Sequence, residues 1–386
     1  MMGKLDIVLS QSCRPKTKTS FVFGSAGLLC MGILGACGVE SETLEEPDDA
    51  LVSEQEQEAF SNVPMGFARV SAGGAVQTSF NSTGGTVSAS HSTGNYTVTF
   101  AGLGSGGHVQ IAAEGPSNVR CRSMGWSGTT DLSASVQCNA PNGTLADSAF
   151  AILFFRHAMP APNTSSTGRA YAWVTSGGSV PTSFDYNSSG THNTVVKGGT
   201  GSYTVKIANA TAINASMMVT NYGGAAGTVC SIVYWGPGTA RVECRDRFGN
   251  LVDSAFTFSY SVLDALKDQQ GGHTWFDGMT ANSTYTGALA KWWCSPRSVS
   301  GSRNLSLASI VVSGELGSWD ASPFRRVSLV SKYGSAGYCK VESLSSDEGP
   351  TSTATTAVRC YSATGAVIAV PQFTFTHVTS DPSGPC

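Results

Sequence analysis

Charge is scarce in this chain. Only 13% of its 386 residues are Asp, Glu, Lys or Arg, and the formal net charge is −3. Residues 65–386 carry 19 Lys and Arg against 16 Asp and Glu, with no basic cluster and no interleaving of basic and aromatic residues. A nucleic-acid binder needs a concentrated basic footprint or a basic groove with stacking rings, so nucleic acid is not an expected partner. Long amphipathic helical patterns are missing too; the best candidate, 260–270, is short. Catalytic signatures are equally sparse. There is no Gly-x-Ser-x-Gly elbow, no His-Glu-x-x-His and no phosphate-cradling Gly-x4-Gly-Lys-Ser/Thr. No Cys-x2–4-Cys pair exists, and none of the six histidines (91, 108, 157, 192, 273, 377) has a partner at ligand spacing. The expectation is therefore a non-enzyme without metal or cofactor.

What the chain does have is repetition. Gly73-Gly-Ala-Val-Gln-Thr-Ser-Phe80 returns as Gly177-Gly-Ser-Val-Pro-Thr-Ser-Phe184, and Asp147-Ser-Ala-Phe150 as Asp253-Ser-Ala-Phe256. A Val-x-Cys-x4-Gly signature occurs three times, at Val136/Cys138/Gly143, Val242/Cys244/Gly249 and Val358/Cys360/Gly365. A period of about 105 residues is the size of a small domain and too long for a solenoid repeat. Within each copy apolar residues alternate with period two, as in Tyr96-Thr-Val-Thr-Phe100, Tyr203-Thr-Val-Lys-Ile207 and Phe373-Thr-Phe-Thr-His377. Short alternating runs between Gly, Asn and Ser clusters indicate an all-β fold. We expect three tandem β-sandwich units, immunoglobulin-like or related, at 65–158, 168–263 and 288–386. The third is divergent, and 264–287 is a linker. Three units in a row make a rod.

Eleven cysteines are present. Six fall in pairs, Cys121 with Cys138, Cys230 with Cys244 and Cys339 with Cys360, each with a turn-like sequence near its midpoint. Cysteines equidistant from a turn face each other across a hairpin, so one disulfide per unit is expected, cross-strand or between the two sheets. Cys294 and Cys386 then pair with each other. Trp126 and Trp235 both stand five residues after the first cysteine of their copies and read as core residues. Asp147 and Asp253, ahead of the last strand, read as turn caps.

The first 36 residues form a basic start followed by an uncharged apolar stretch, 21–36, ending in Leu34-Gly-Ala-Cys37. This segment resembles a bacterial lipoprotein signal, which implies lipid modification of Cys37 and anchoring in a membrane, by resemblance the outer membrane or cell surface. Between Gly38 and Pro64 there are nine acidic residues and no basic one. A segment so acidic and so poor in apolar surface makes a disordered, self-repelling tether. With that tether the leader resembles surface lipoproteins of myxobacterial type. The repeated string from Tyr-Thr-Val to Asp-Ser-x-Phe resembles a repeat of secreted soil-bacterial proteins. The resemblance covers 66–157 and 168–262 well, weakens in the third copy, and implies export and a β-rich fold but no activity.

The most distinctive non-repeated stretch is Gly271-Gly-His-Thr-Trp-Phe-Asp-Gly278, followed by Lys291-Trp-Trp-Cys294. Two readings stand for His273, Trp275, Asp277, Trp292 and Trp293: a ligand groove between units two and three, or a linker whose aromatics bury the junction. The function expected is a non-catalytic binding or adhesion module for polysaccharide, matrix or a surface protein. The alternatives are a structural envelope spacer or coat protein and, less favoured, an envelope-glycan hydrolase acting through His273 and Asp277.

Overall fold

The computed structural model describes residues 64–157, 167–211, 215–262, 271–276, 298–304, 307–313, 325–332, 334–347, 353–369 and 372–380. The leader, Cys37, the tether, Cys294 and Cys386 lie outside the described residues, and so do Asp277, Trp292 and Trp293.

The first sequence copy supplies β1 (Met65–Val70), β2 (Val76–Asn81), β3 (Val87–Ser92), β4 (Asn95–Phe100), β5 (His108–Glu114), β6 (Arg120–Ser127), β7 (Leu132–Asn139) and β8 (Ala149–Phe155). The second supplies β9 (Arg169–Val174), β10 (Asp185–Asn187), β11 (Thr194–Gly199), β12 (Ser202–Lys206), β13 (Ala215–Tyr222), β14 (Val229–Gly236), β15 (Thr239–Arg245) and β16 (Ala255–Val262). The third supplies β17 (Gly271–Phe276), β18 (Ser298–Asn304), β19 (Leu307–Ser313), β20 (Arg325–Lys332), β21 (Tyr338–Asp347), β22 (Thr353–Tyr361) and β23 (Phe373–Ser380). The fold is all-β, as the alternating sequence implies.

Each copy builds two facing sheets. In the first they run β2–β1–β8–β5 and β3–β4–β7–β6. Alternation sends Tyr96, Val98 and Phe100 inward, where they pack with Phe150, Ile152 and Phe154 from the opposite sheet, while Thr97 and Thr99 face out. Burying each such phenylalanine contributes about 1.5–3 kcal/mol. The second copy repeats the order as β10–β9–β16–β13 and β11–β12–β15–β14 over its own core. The third follows with β17–β23–β20 and β18–β19–β22–β21.

The repeated motifs have local physical causes. Gly143, Gly249 and Gly365 all adopt φ 89°, the left-handed region that only glycine enters without strain. Each closes the turn after its copy's second cysteine by donating its N–H to the carbonyl three residues back, on Ala140, Asp246 and Ser362. The buried tyrosines recur for a similar reason. Tyr96 Oη donates to the Ala72 carbonyl and accepts the Ser148 N–H, and Tyr203 Oη does the same with Ser176 and Ser254. Cys121 opposes Cys138 directly in the strand register, as Cys230 opposes Cys244 and Cys339 opposes Cys360. All three pairs are bonded, which settles the geometry as cross-strand. Each closed loop contributes about 3 kcal/mol in the chain-entropy account.

The units do not stand in a row. Every sandwich ends in two edge strands, β5 and β6 in the first copy, β13 and β14 in the second and β20 and β21 in the third, whose outer backbone groups need partners. They find them in the neighbouring copy. Gly223 N–H donates to the Ser123 carbonyl (2.7 Å), Gly334 N–H to Ile232 (3.0 Å) and Gly115 N–H to Val341 (2.9 Å). The second unit thus joins the first, the third joins the second, and the first joins the third. Each donor glycine lies just beyond β5, β13 or β20 or their immediate extension, and each acceptor stands two residues after the copy's first cysteine. The cycle closes, and β5 and β21 become parallel neighbours within one eight-stranded sheet, as do β13 and β6 in another. A rod would leave these edges bare; the closed body covers them.

Side chains reinforce two of the three junctions in the same way. Thr220 Oγ1 accepts the Ile111 N–H (3.0 Å), and Ser331 Oγ accepts the Val219 N–H (3.1 Å). Thr257 and Thr374 donate to the carbonyls of Val109 and Met217. The corresponding first-unit residues are Ala112 and Ala151, which have no hydroxyl. That seam is closed differently: Tyr338 donates to the Asn118 carbonyl, Lys340 to Ser117 and Arg120 to Ala363.

The segment expected to be linker, 264–287, also differs from its expectation. Residues 271–276 form β17 and pair with all of 373–378 in β23. This is the place that β1 and β9 take against β8 and β16 in the other copies. The third sandwich lacked an evident first strand, and this run fills that position by pairing with β23.

Thr220→Val keeps the side-chain shape but removes the oxygen that accepts the buried Ile111 N–H. Chemical denaturation should show a loss of about 1–3 kcal/mol, whereas Thr99→Val, on an outer face, should stay within about 0.5 kcal/mol of the parent.

Candidate functional site

Of the five residues expected to line a groove, His273 and Trp275 lie on β17, opposite Thr376 and Thr374. Asp277, Trp292 and Trp293 lie outside the described residues. Several repeated residues take structural roles. Trp126 is buried in the first core and donates Nε1–H to the Gly106 carbonyl at 2.8 Å. Trp235 packs, partly buried, against the second core. Asp147 Oδ1 accepts the Gly94 N–H (2.7 Å) and bonds His91 (2.8 Å). Asp253 accepts the Gly201 N–H (2.8 Å) and pairs with Lys197. Both carboxyls are held below the usual carboxylate range, Asp147 mainly by the Gly94 N–H and Asp253 mainly by Lys197. They are turn caps.

The outward faces of the second sheet in each copy are more informative. On the first unit, direct cross-strand neighbours form the row Ser90–Thr97–Ser135–Gly125 and, two residues along, Ser88–Thr99–Ser133–Ser127. A third row, Ser92–Asn95–Gln137–Arg122, adds amides held by hydrogen bonds between Gln137 and Asn95 and between Arg122 and Gln137. Sheet geometry sets these groups about 4.8 Å apart across strands and about 6.7 Å apart along them. The first two rows carry no charge and nothing larger than threonine.

The second unit uses the same positions differently. Its corresponding row is Val196–Thr204–Arg241–Tyr234. Val196 is 52% exposed and Tyr234 58%, too much for packing residues. Tyr234 occupies the place of Gly125, beside Arg241, whose guanidinium bonds Glu243 (2.8 Å). An exposed ring beside a guanidinium held by an ion pair, just after the bulge in β14, offers a face for stacking. Sequence reasoning passed over Tyr234 because only its neighbour Trp235 repeats; the signal was the difference between copies.

An aromatic recess of about 50 Å³ lies among strands of the first two copies, with Thr376 of the third also in its wall. His108 stacks on Tyr171 (4.4 Å) and Phe155 (5.4 Å), and His157 on Tyr186 (4.7 Å). Burial pushes the His108 imidazole down to about 3. His157 is lowered as well, by burial, by Arg169 and by His108. Both rings are neutral at pH 7 and act as flat packing surfaces. Among the described residues no group of three or more His, Cys, Asp or Glu side chains is placed to hold a metal ion.

No protein-family model matches the chain, and neither a curated protein nor a solved structure matches it. The disulfides fit a protein made for an oxidising compartment outside the cytosol.

His108 gives a pH signature. Its unfolded imidazole takes up a proton near 6.5, and its folded one only near 3. The unfolded state therefore binds more protons between these values, and stability is full above pH 6.5 and falls progressively towards pH 3. Melting temperatures across this window should show that decline. His108→Phe, which keeps the stack, should reduce the decline, and the part due to the buried His157 should remain.

Proposed function

We propose that this chain is a non-catalytic surface-binding lipoprotein, anchored through a lipid on Cys37 at the outer membrane or cell surface, whose outer sheet faces hold polysaccharide. One observation carries the reading: uncharged rows of hydroxyls on the first unit, joined in one body to the Tyr234–Arg241 platform on the second. Hydroxyls in cross-strand register offer many weak donors and acceptors to a sugar chain. A tyrosine face offers apolar stacking to a sugar ring, and several such faces on one rigid body gain by avidity. The acidic tether would hold the body away from the membrane, and the resemblance to myxobacterial-type surface lipoproteins and to a secreted soil-bacterial repeat points the same way. The structural-spacer reading uses the same body without a ligand. The hydrolase reading would rest on His273 and Asp277, and an activity that survived their joint substitution would remove it.

The test is binding of protein lacking residues 1–37 to a broad glycan array. Saturable binding is expected, with Tyr234→Ala weakening it about five- to tenfold, a typical loss for truncating an anchor ring. Thr97→Glu with Ser135→Glu should abolish it wherever the first-unit face contributes. Binding to no glycan, or binding untouched by all three substitutions, would contradict the assignment.

A further inference from the structure

A second chamber lies where the three units meet at the disulfide end of the body. Cys121, Cys230 and Cys339, one from each copy, all line it, and its volume is about 50 Å³. Arg120, Arg122 and Lys332 line it too, and they are only 6%, 5% and 2% exposed. No Asp or Glu is found among the described residues of its wall. The buried carboxylate on the adjoining strand, Glu114, is engaged by Arg69 through three hydrogen bonds of 2.8–3.1 Å.

The two arginines are hydrogen-bonded but not neutralised. Arg120 donates to the carbonyls of Ala363 and Pro141, and Arg122 to those of Gly223, Gly224 and Ala225 and to Gln137 Oε1. Carbonyl dipoles satisfy N–H groups, yet they leave the net charge in a region poor in water. Such charge is costly to bury unless it is balanced. The side-chain Nε of each arginine is buried without a partner. Burial lowers Lys332 to about 8 and lowers both arginines, and Arg120 depresses Arg122 further. Neutral polar residues, Asn139, Asn221, Thr228 and Ser331 among them, also line the wall.

The geometry points to an oxyanion site: the chamber takes one tetrahedral oxyanion, sulfate or phosphate, held by Arg120, Arg122 and Lys332. The volume suits it, since about 10–15 Å³ of such space holds one water and the chamber has room for a few waters or one ion of that size. All three units contribute to the wall, so an ion there stabilises only the closed body. This inference does not depend on the polysaccharide reading.

The experiment is calorimetric titration of the purified full chain with sodium sulfate and, separately, sodium phosphate, with sodium chloride at matched ionic strength as the control. One ion per chain is expected to bind saturably with submillimolar affinity, with a melting temperature that rises and then levels off. Lys332→Met should weaken binding at least tenfold while the protein stays folded, and Lys197→Met, which removes a cation paired with Asp253 outside the chamber, should leave it unchanged. Sulfate also stabilises proteins generally, by exclusion from their surfaces, and that effect rises without saturating. A non-saturating rise shared by the parent and Lys332→Met, or no heat with either anion, would overturn the site. The parent titration decides the matter even if Lys332→Met fails to fold.

Discussion

Three backbone hydrogen bonds, donated by Gly115, Gly223 and Gly334, set where everything else in the body lies. A sandwich of about 100 residues can fill its own core, but it cannot satisfy the outer backbone groups of its edge strands. Here each edge meets the complementary edge of another copy, and three copies suffice to close the cycle. The acceptor sits two residues after a disulfide-bonded cysteine each time, so the staple fixes the strand that receives the bond. Stapling and closure are thus coupled: the cross-strand disulfides hold the hairpins whose outer edges make the junctions.

Closure also accounts for the unusual buried cations. Arg122 reaches the loop carbonyls of the second unit and Lys340 those of the first. The second unit has Ser231 at this position, and its hydroxyl is buried without a hydrogen-bond partner. Junctions closed by threonine and serine hydroxyls, and a seam closed by Lys340, Tyr338 and Arg120, solve one geometric problem with two chemistries. The seam joins the first copy to the divergent third. The cationic chamber is a consequence of that closure: clamps drawn from several copies converge where the copies meet.

Much of the fold was legible in the sequence because its determinants are side-chain patterns. Period-two alternation gave the strands, and cysteines equidistant from a turn gave the three observed disulfides. Closure was not legible. It is made by N–H and C=O groups that every residue possesses, and its side-chain supports differ from copy to copy, as Arg122, Ser231 and Lys340 do. The strand at 271–276 was hidden for a related reason, since it pairs through its backbone and its sequence has lost the pattern of the other copies. On the candidate faces the repeat misled in the other direction. It drew attention to Trp126 and Trp235, which pack inward, and away from Tyr234, which does not repeat and points to solvent.

The most direct test of the closed arrangement is small-angle X-ray scattering from residues 64–386. A compact body of this length has a radius of gyration of about 20 Å, and closure predicts that value with a single-peaked distance distribution. Three separate units in a line would give about 30 Å, reckoned from the same scaling for three 100-residue domains, with a long tail. A value near the larger figure would contradict the account.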